Sequence, residues 1–298
     1  FFLYDILNRF IPLCEERKRP DLVTKYTNLK EELKKNLNTI GWDGRWFKRA
    51  INDEGYEIGS MSSEECRIDS LVQSWSVISN AGDNDKKFIS MEEAENYLVD
   101  RENKIIKLFE PAFENASINP GYIKAYPAGI RENGGQYTHA SCWLIIAEAL
   151  LGFGDKAVEF AEMINPIEHS KTKEEAKKFK LEPYVMEADI YTNKDLLGRG
   201  GWNWYTGSSS WYFKAILEYI LGLKIKNGYL SVEPCIAKEW KEFEIKYKYK
   251  TSIYHIIVKN KDGKNNGVQK FLLNGTEIKD KKIPLCDDGR IYNIQIFM

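Results

Sequence analysis

Histidine is scarce in this chain, three in 298 residues, and no pair stands at a ligand spacing such as His-x-x-x-His. That argues against a metal centre built on histidine, and no metal is expected. Cysteine is sparse as well: Cys14, Cys66, Cys142, Cys235 and Cys286 are odd in number, widely spaced and never in a Cys-x-x-Cys pair. Neither a disulfide framework nor a zinc ribbon follows, and reduced thiols in a cytoplasmic protein are the simpler reading. No apolar run reaches the length of a membrane span, and no signal peptide opens the chain. An excess of one charge is also missing. The net charge is −1 and the positive residues are scattered, which excludes the electrostatic footprint of a nucleic-acid or anionic-membrane binder. Small neutral or singly charged ligands fit better. For nucleophilic catalysis there is no Gly-x-Ser-x-Gly elbow and no convincing Cys-His pairing.

What the chain does have is two Gly-rich polar turns, each leading into an apolar run of helical period. One is Glu132-Asn-Gly-Gly-Gln-Tyr-Thr-His139, ahead of Ala140 to Leu151; the other is Gly200-Gly-Trp-Asn-Trp-Tyr-Thr-Gly207, ahead of Ser209 to Leu223. A turn that opens a helix presents backbone N–H groups and a positive dipole end to an anion. Around these turns the sequence sets Trp42, Trp46, Trp202, Trp204, Tyr126, Tyr137 and Tyr205. Aromatic faces beside hydrogen-bonding loops suit a sugar, so the working expectation is an oxyanion held next to a carbohydrate.

In chain order, Phe2, Ile6, Phe10 and Leu13 predict a first helix with a kink at Pro12, and Asp21 to Leu37 a second. Phe1 already stands inside this amphipathic pattern, as at the start of a fragment. Gly41 to Gly59 is an acidic and aromatic loop, either a sugar-facing loop or a plain surface loop with snorkelling arginine. Further helices are predicted over Cys66–Ala81, Ser90–Lys107 and residues 154–163. Pro111 to Arg131 is a long loop, and Glu182 to Asp189 a buried extended or turning segment carrying three carboxylates. From Gly228 the period changes to alternation, in five strand-like runs separated by Asp-Gly and Asn-Gly turns. The fold class is therefore mainly α with a C-terminal β-domain, divided at residues 1–227 and 228–298, the second part a small antiparallel sheet or sandwich.

Each candidate group has a structural alternative. His139 could be a satisfied core histidine, but the Gly-Gly before it favours a ligand role. Thr206 could be a helix cap, and a cap and an anion site share one geometry. His169 and His255 are read as structural, and the carboxylates Asp43, Asp53, Glu132, Glu182 and Asp189 cannot be ranked for acid–base work from sequence alone.

Longer stretches carry a resemblance. Gly41-Trp-Asp-Gly-Arg-Trp-Phe-Lys-Arg-Ala, Glu65-Cys-Arg-Ile-Asp-Ser-Leu-Val-Gln-Ser-Trp75, Asn119 through His139, and Gly198-Arg-Gly-Gly-Trp-Asn-Trp-Tyr-Thr-Gly-Ser208 resemble the glycoside hydrolase family 94 inverting phosphorylases. Within that family they are most like β-1,2-oligoglucan phosphorylases and the phosphorylase-like module of cyclic β-1,2-glucan synthases. The resemblance implies an (α/α)6 barrel followed by a small β-domain, and reversible phosphorolysis that yields α-glucose 1-phosphate with inversion. No cofactor is implied, since inorganic phosphate is the co-substrate and replaces the activated water of an inverting hydrolase. Carried over by position, His139, Thr206 and Gly207 would hold the phosphate; Arg131 and Gln136 would lie near sugar or phosphate, and Trp42, Asp43, Arg49 and Glu132 would line the sugar site.

One departure bears on activity. The family's general acid lies in a Trp-Asn-Asp motif upstream of the helix that begins this chain, and Trp202-Asn203-Trp204 is not that motif. The expected partners are a β-glucan oligosaccharide, phosphate or glucose 1-phosphate, and the missing N-terminal portion of the same protein. The helical patterns cover about half of such a barrel's twelve helices, leaving apolar faces for that portion or for a second copy in a homo-oligomer. The competing readings are a synthase module, a non-catalytic carbohydrate-binding or assembly subunit, and a hydrolase of the same barrel type.

Overall fold

Apolar residues three and four apart make the first two elements helical, α1 (Phe2–Glu16) and α2 (Pro20–Asn38), packed together as a hairpin. Proline opens α2, where its missing N–H leaves no bond unmade. The stripe that α1 buries is Tyr4, Leu7, Ile11 and Cys14. The stripe read from the sequence faces outward instead, with Phe2 61% and Ile6 42% exposed and Phe10 and Leu13 likewise open. The helix is apolar on more than one face, and periodicity does not say which face the core takes.

The computed structural model describes residues 1–115, 118–204 and 206–298; Tyr205, one of the aromatics singled out above, lies outside them. The chain forms two units, Phe1–Ala147 with Met163–Ser209, and Glu148–Glu162 with Ser210–Met298.

In the first unit, β1 (Ala50–Ile51) pairs with β2 (Glu57–Ile58), and β3 (Ile68–Asp69) leads into α3 (Ser70–Ile78) and α4 (Asn84–Leu98), which pack on each other. Asp69 caps α3 by accepting the Leu71 N–H at 2.7 Å. The run expected as a helix from Ser90 to Lys107 is helical only to Leu98. Beyond it, β4 (Val99–Asp100) and β5 (Ile105–Ile106) form a hairpin, where β-branched residues flank a tight turn with Lys104 at φ 55°. Then β6 (Phe109–Glu110) returns to pair with β3. Trp46 belongs to the core: it is 1% exposed, and its indole N–H is shared between the carbonyls of Gly59 and Arg67 at 3.1 and 2.9 Å. Its bulk fills space in the fold rather than facing a ligand.

After a 3₁₀ turn at Gly121–Ala125 come β7 (Gln136–Tyr137) and α5 (Thr138–Leu150). Both α5 and α6 (Gly154–Met163) contribute residues to both units. A capping box of Thr172 and Glu175 starts α7 (Lys173–Phe179), and β8 (Asp189–Ile190) pairs antiparallel with β7. Next, α8 (Ser208–Lys214) widens into a π-helical stretch, Ala215–Ile220, with the Leu221 N–H on the Ile216 carbonyl at 2.8 Å.

The second unit's strands begin earlier than the sequence suggested. Leu223, read as the end of a helix, opens β9 (Leu223–Lys226), followed by β10 (Tyr229–Val232), β11 (Glu242–Tyr249), β12 (Ser252–Lys259), β13 (Lys270–Leu273), β14 (Thr276–Glu277), β15 (Lys282–Pro284) and β16 (Ile291–Phe297). They form one sheet ordered β15-β10-β9 and one ordered β11-β12-β16-β13-β14. The second is mixed, because β12 and β16 run parallel from Ile253↔Ile291 to Lys259↔Phe297. The three strands intervening between them return the chain to its starting direction, as a parallel pair requires. Strict alternation on β12 buries Tyr254, Ile256 and Val258.

One buried amide holds the loop that carries the first Gly-rich turn. The Asn133 side chain accepts the Phe113 N–H at 2.7 Å and donates to the carbonyls of Phe113 and Tyr126, both at 2.8 Å. These three bonds tie the Pro111–Arg131 loop to the turn that follows it. Asn133→Ala should destabilise the protein by roughly 3 kcal/mol, since it leaves buried backbone groups unpaired. Denaturant unfolding of the variant checks this, and a change under about 0.5 kcal/mol would show that the clamp contributes little.

Candidate active site

The two Gly-rich turns are brought together by the segment between them. Residues 187–191 run extended as the middle of three short strands, with β7 on one side and residues 199–203 on the other. Thr138 N–H donates to the Ala188 carbonyl at 2.9 Å, and Ala188 N–H to the Trp202 carbonyl at 2.6 Å. Tyr191 and Gly201 extend the second ladder through Arg199 and Asp189, each at 2.9 Å. Glycine is needed at 201: a Cβ there would lie 2.5 and 2.6 Å from the two carboxylate oxygens of Asp189. The three carboxylates of the segment Glu182–Asp189 thus include two, Glu187 and Asp189, that lie between the turns.

His139, Thr206 and Gly207 meet where the turns converge. A Cβ at Gly207 would be 3.4 Å from Cε1 and 3.6 Å from Nδ1 of His139, so the bare glycine lets backbone and imidazole lie in contact. The imidazole also meets Trp143 edge-on at 4.6 Å. Trp143 in turn meets Trp75 of α3 at 5.4 Å, and Trp75 meets Phe2 of α1 at 5.1 Å. An aromatic ladder across three helices therefore sets the histidine ring. Burial lowers its pKa, which favours the neutral imidazole. Thr206 accepts the Ser208 N–H at 3.1 Å, and its hydroxyl lies 2.8 Å from that of Ser208, which donates to the Glu187 carbonyl at 2.7 Å.

Arg131 takes a left-handed conformation at φ 49°, places its guanidinium 5.6 Å from the centre of the Tyr126 ring, and sets Nε 3.5 Å from Glu132 Oε2. Gln136 is fully buried and its amide is in use: Oε1 accepts the Ile106 N–H at 2.9 Å, and Nε2 reaches Thr138 and Glu187 at 3.2 and 3.3 Å. The 41–49 loop keeps its own company. Asp43 accepts the backbone N–H groups of Arg45, Trp46 and Met61, Arg49 pairs with Asp69, and Trp42 packs edge-on against Phe47 beneath Lys86. Trp202 and Trp204 stand open, 52% and 63% exposed, with Trp204 at φ 68°.

Residues 1–222 match the family described as the glycosyl hydrolase 94 superfamily, catalytic domain. The chain belongs to that family. Among its relatives, the cyclic beta-(1,2)-glucan synthase NdvB of Rhizobium meliloti is 39% identical over 89% of this chain. The N,N'-diacetylchitobiose phosphorylase of Vibrio furnissii is 28% identical over 93%, and the solabiose phosphorylase of Paenibacillus borealis 29% identical over 99%. The chain spans 9%, 34% and 38% of the length of these three relatives, respectively. Among the described residues no helix is long and apolar enough to cross a membrane.

In this member of glycosyl hydrolase 94 the charge balance of the site rests on two buried carboxyls. Asp189 accepts the Trp202 N–H at 3.0 Å; burial raises its pKa, while Trp202 N–H and Arg131 act in the opposite direction. Glu187 Oε1 accepts the Thr138 hydroxyl at 2.9 Å, and burial pushes the group up to about 8. Sequence reasoning did not single out Glu187; its only signal was a carboxylate between Met186 and Ala188 in a segment read as buried. Because its folded pKa is raised above the ordinary glutamate value of 4.5, the folded state holds a proton that the unfolded state has lost between those two values. Its contribution to stability is full below pH 4.5 and declines as pH rises toward 8. Glu187→Gln should therefore gain stability over the wild type between pH 5 and 8, by up to about 1.4 kcal/mol per pH unit. Denaturant midpoints of both proteins across that range test it, and parallel curves would contradict it.

Proposed function

We propose that this chain is the C-terminal, phosphate-holding part of an inverting glycoside phosphorylase that acts on β-glucans and forms α-glucose 1-phosphate reversibly. The observation that carries the reading is the contact of Gly207 with the His139 imidazole, with Thr206 alongside, in a chain of the glycosyl hydrolase 94 family. In this reading a neutral imidazole N–H, the Thr206 hydroxyl and the Gly207 backbone N–H surround the phosphate. Phosphate oxygen attacks the anomeric carbon from the face opposite the leaving sugar. An aspartic acid in the upstream portion of the protein protonates the glycosidic oxygen as the bond breaks.

Arg131 and Glu132 face the sugar, held at the start of the first turn. Gln136 acts through the buried bonds it makes to Ile106, Thr138 and Glu187, which hold the strand that delivers His139. Trp42 offers its indole to the sugar, with Asp43 and Arg49 shaping the loop around it. The helical hairpins form part of an (α/α)6 barrel, and the outward face of α1, with Phe2, Ile6, Phe10 and Leu13, packs on the upstream portion. A β-1,2 linkage is favoured by the 39% identity with the glucan synthase, against 28% and 29% with the two phosphorylases. That identity equally supports a synthase-module parent.

The full-length protein, given a β-1,2-oligoglucan and inorganic phosphate, should release α-glucose 1-phosphate. Phosphate-independent release of free glucose would overturn the reading in favour of a hydrolase. His139→Ala should lower kcat/KM for phosphate by roughly 10²-fold, the scale seen on removing one donor to a reacting oxyanion. This polypeptide alone should give no turnover until mixed with the upstream portion, and strong turnover without it would sink the half-site assignment.

A further inference from the structure

One buried residue grips both phosphate-binding turns, the first by its side chain and the second by its backbone carbonyl. The Glu187 carboxyl reaches the first turn, with Oε1 accepting from the Thr138 hydroxyl at 2.9 Å and from the Gln136 amide at 3.3 Å, directly before His139. The Glu187 carbonyl reaches the second, accepting from Ser208, whose hydroxyl lies 2.8 Å from that of Thr206. The residue is fully buried, and its Oε2 has no hydrogen-bond partner among the described residues.

An ionised carboxylate in that position would need a positive partner, and among the described residues the groups that face it supply none. Asp189, on the same strand, is of like sign. Cys142, from α5, is held as a thiol by burial. Gln136 and Thr138 from the first turn, and Asn203 and Ser208 from the second, are neutral. Arg131 is engaged with Glu132, Tyr126 and the field of Asp189. A buried carboxyl without a counter-charge keeps its proton, and since Oε1 takes both donors, the proton sits on Oε2.

We infer that Glu187 is a positioning residue whose neutral carboxyl holds the first turn of the phosphate cradle, beside its own backbone carbonyl that holds the second, and whose ionisation opposes phosphate there. It touches no reacting atom; its carboxyl acts through Thr138 on His139, while its backbone carbonyl holds Ser208 beside Thr206 at any charge state. Loss of the Oε2 proton would set a bare negative charge beside Asp189 and behind an incoming phosphate, so the cradle is competent on the acid side of that ionisation and weakens on the alkaline side. The inference rests on the phosphate-binding reading of His139, Thr206 and Gly207. Burial pushes Glu187 up to about 8, which places the transition just above neutrality.

The test is the KM for inorganic phosphate of the full-length protein from pH 6 to about 9.5, with kcat measured alongside. In the wild type KM should rise above pH 8, approaching about tenfold per pH unit, while Glu187→Gln, neutral at every pH and still an acceptor for Thr138, should lose that rise. A purely structural glutamate would leave the two profiles parallel. Should the variant not fold, infrared difference spectra of the wild type between pH 6 and 9.5 give an independent readout. Loss of a buried protonated-carboxyl band in step with the KM rise supports the inference. A matching limb in Glu187→Gln, or a wild type with no such band at neutral pH, overturns it. Turnover that depends on phosphate at no pH would sink the phosphate reading itself, a result distinct from either.

Discussion

The site depends on one short antiparallel pairing, residues 136–138 against 187–191 and these against 199–203. Neither Gly-rich turn can define a pocket alone, because each is a few residues of polar chain without a core. Once both are hydrogen-bonded to the same middle strand, their separation is set by the spacing of a β-ladder, about 4.8 Å between neighbours. The glycine at 201 is the condition for this closeness, since any side chain there would overlap the Asp189 carboxylate. His139 and Gly207 then come into contact because each lies a few residues beyond a strand end that is already fixed. The helices contribute direction: the ladder from Phe2 through Trp75 and Trp143 orients the imidazole, and no local turn chemistry could do that.

Much of this was legible in the sequence, and the parts that were not have physical reasons. The turns announced themselves through Gly-Gly followed by an apolar run, a pattern governed by local sterics and capping. The second unit's strands were readable from alternation because β12 and β16 bury every other residue. Pairing was less readable. The parallel contact of β12 with β16 spans the chain between residues 259 and 291, and nothing in either strand's composition distinguishes a parallel neighbour from an antiparallel one. The burial of α1 went the other way from its apparent stripe, since both of its apolar faces satisfy the same period.

Trp46 and Gln136 teach the same lesson at the level of single residues. Both sit in motifs that read as ligand-facing, and both are enclosed, their polar atoms bonded to backbone or to neighbouring side chains. A motif marks a neighbourhood; which of its members face outward is a tertiary fact. Glu187 is the converse. Its surroundings, assembled from Gln136, Thr138, Asp189 and Ser208, are spread over the sequence and converge only in the fold.

The way these carboxyls are handled is consistent with the proposed anion site. A hydrolytic base must be ionised and open to the water it deprotonates. Here Asp189 is enclosed against Gly201 and the Trp202 N–H with Arg131 in its field, and Glu187 is enclosed with hydroxyl and amide donors and, among the described residues, no cation. Both are withheld from solvent. What the convergence of the turns presents instead is a neutral imidazole, a hydroxyl and a glycine backbone, a set of uncharged groups that can approach a phosphate without a large desolvation cost. Negative charge from the protein would oppose an incoming dianion at such short range. On the proposed phosphate reading, a cradle whose nearest carboxyls are screened by Arg131 or neutralised by a proton would remove that opposition.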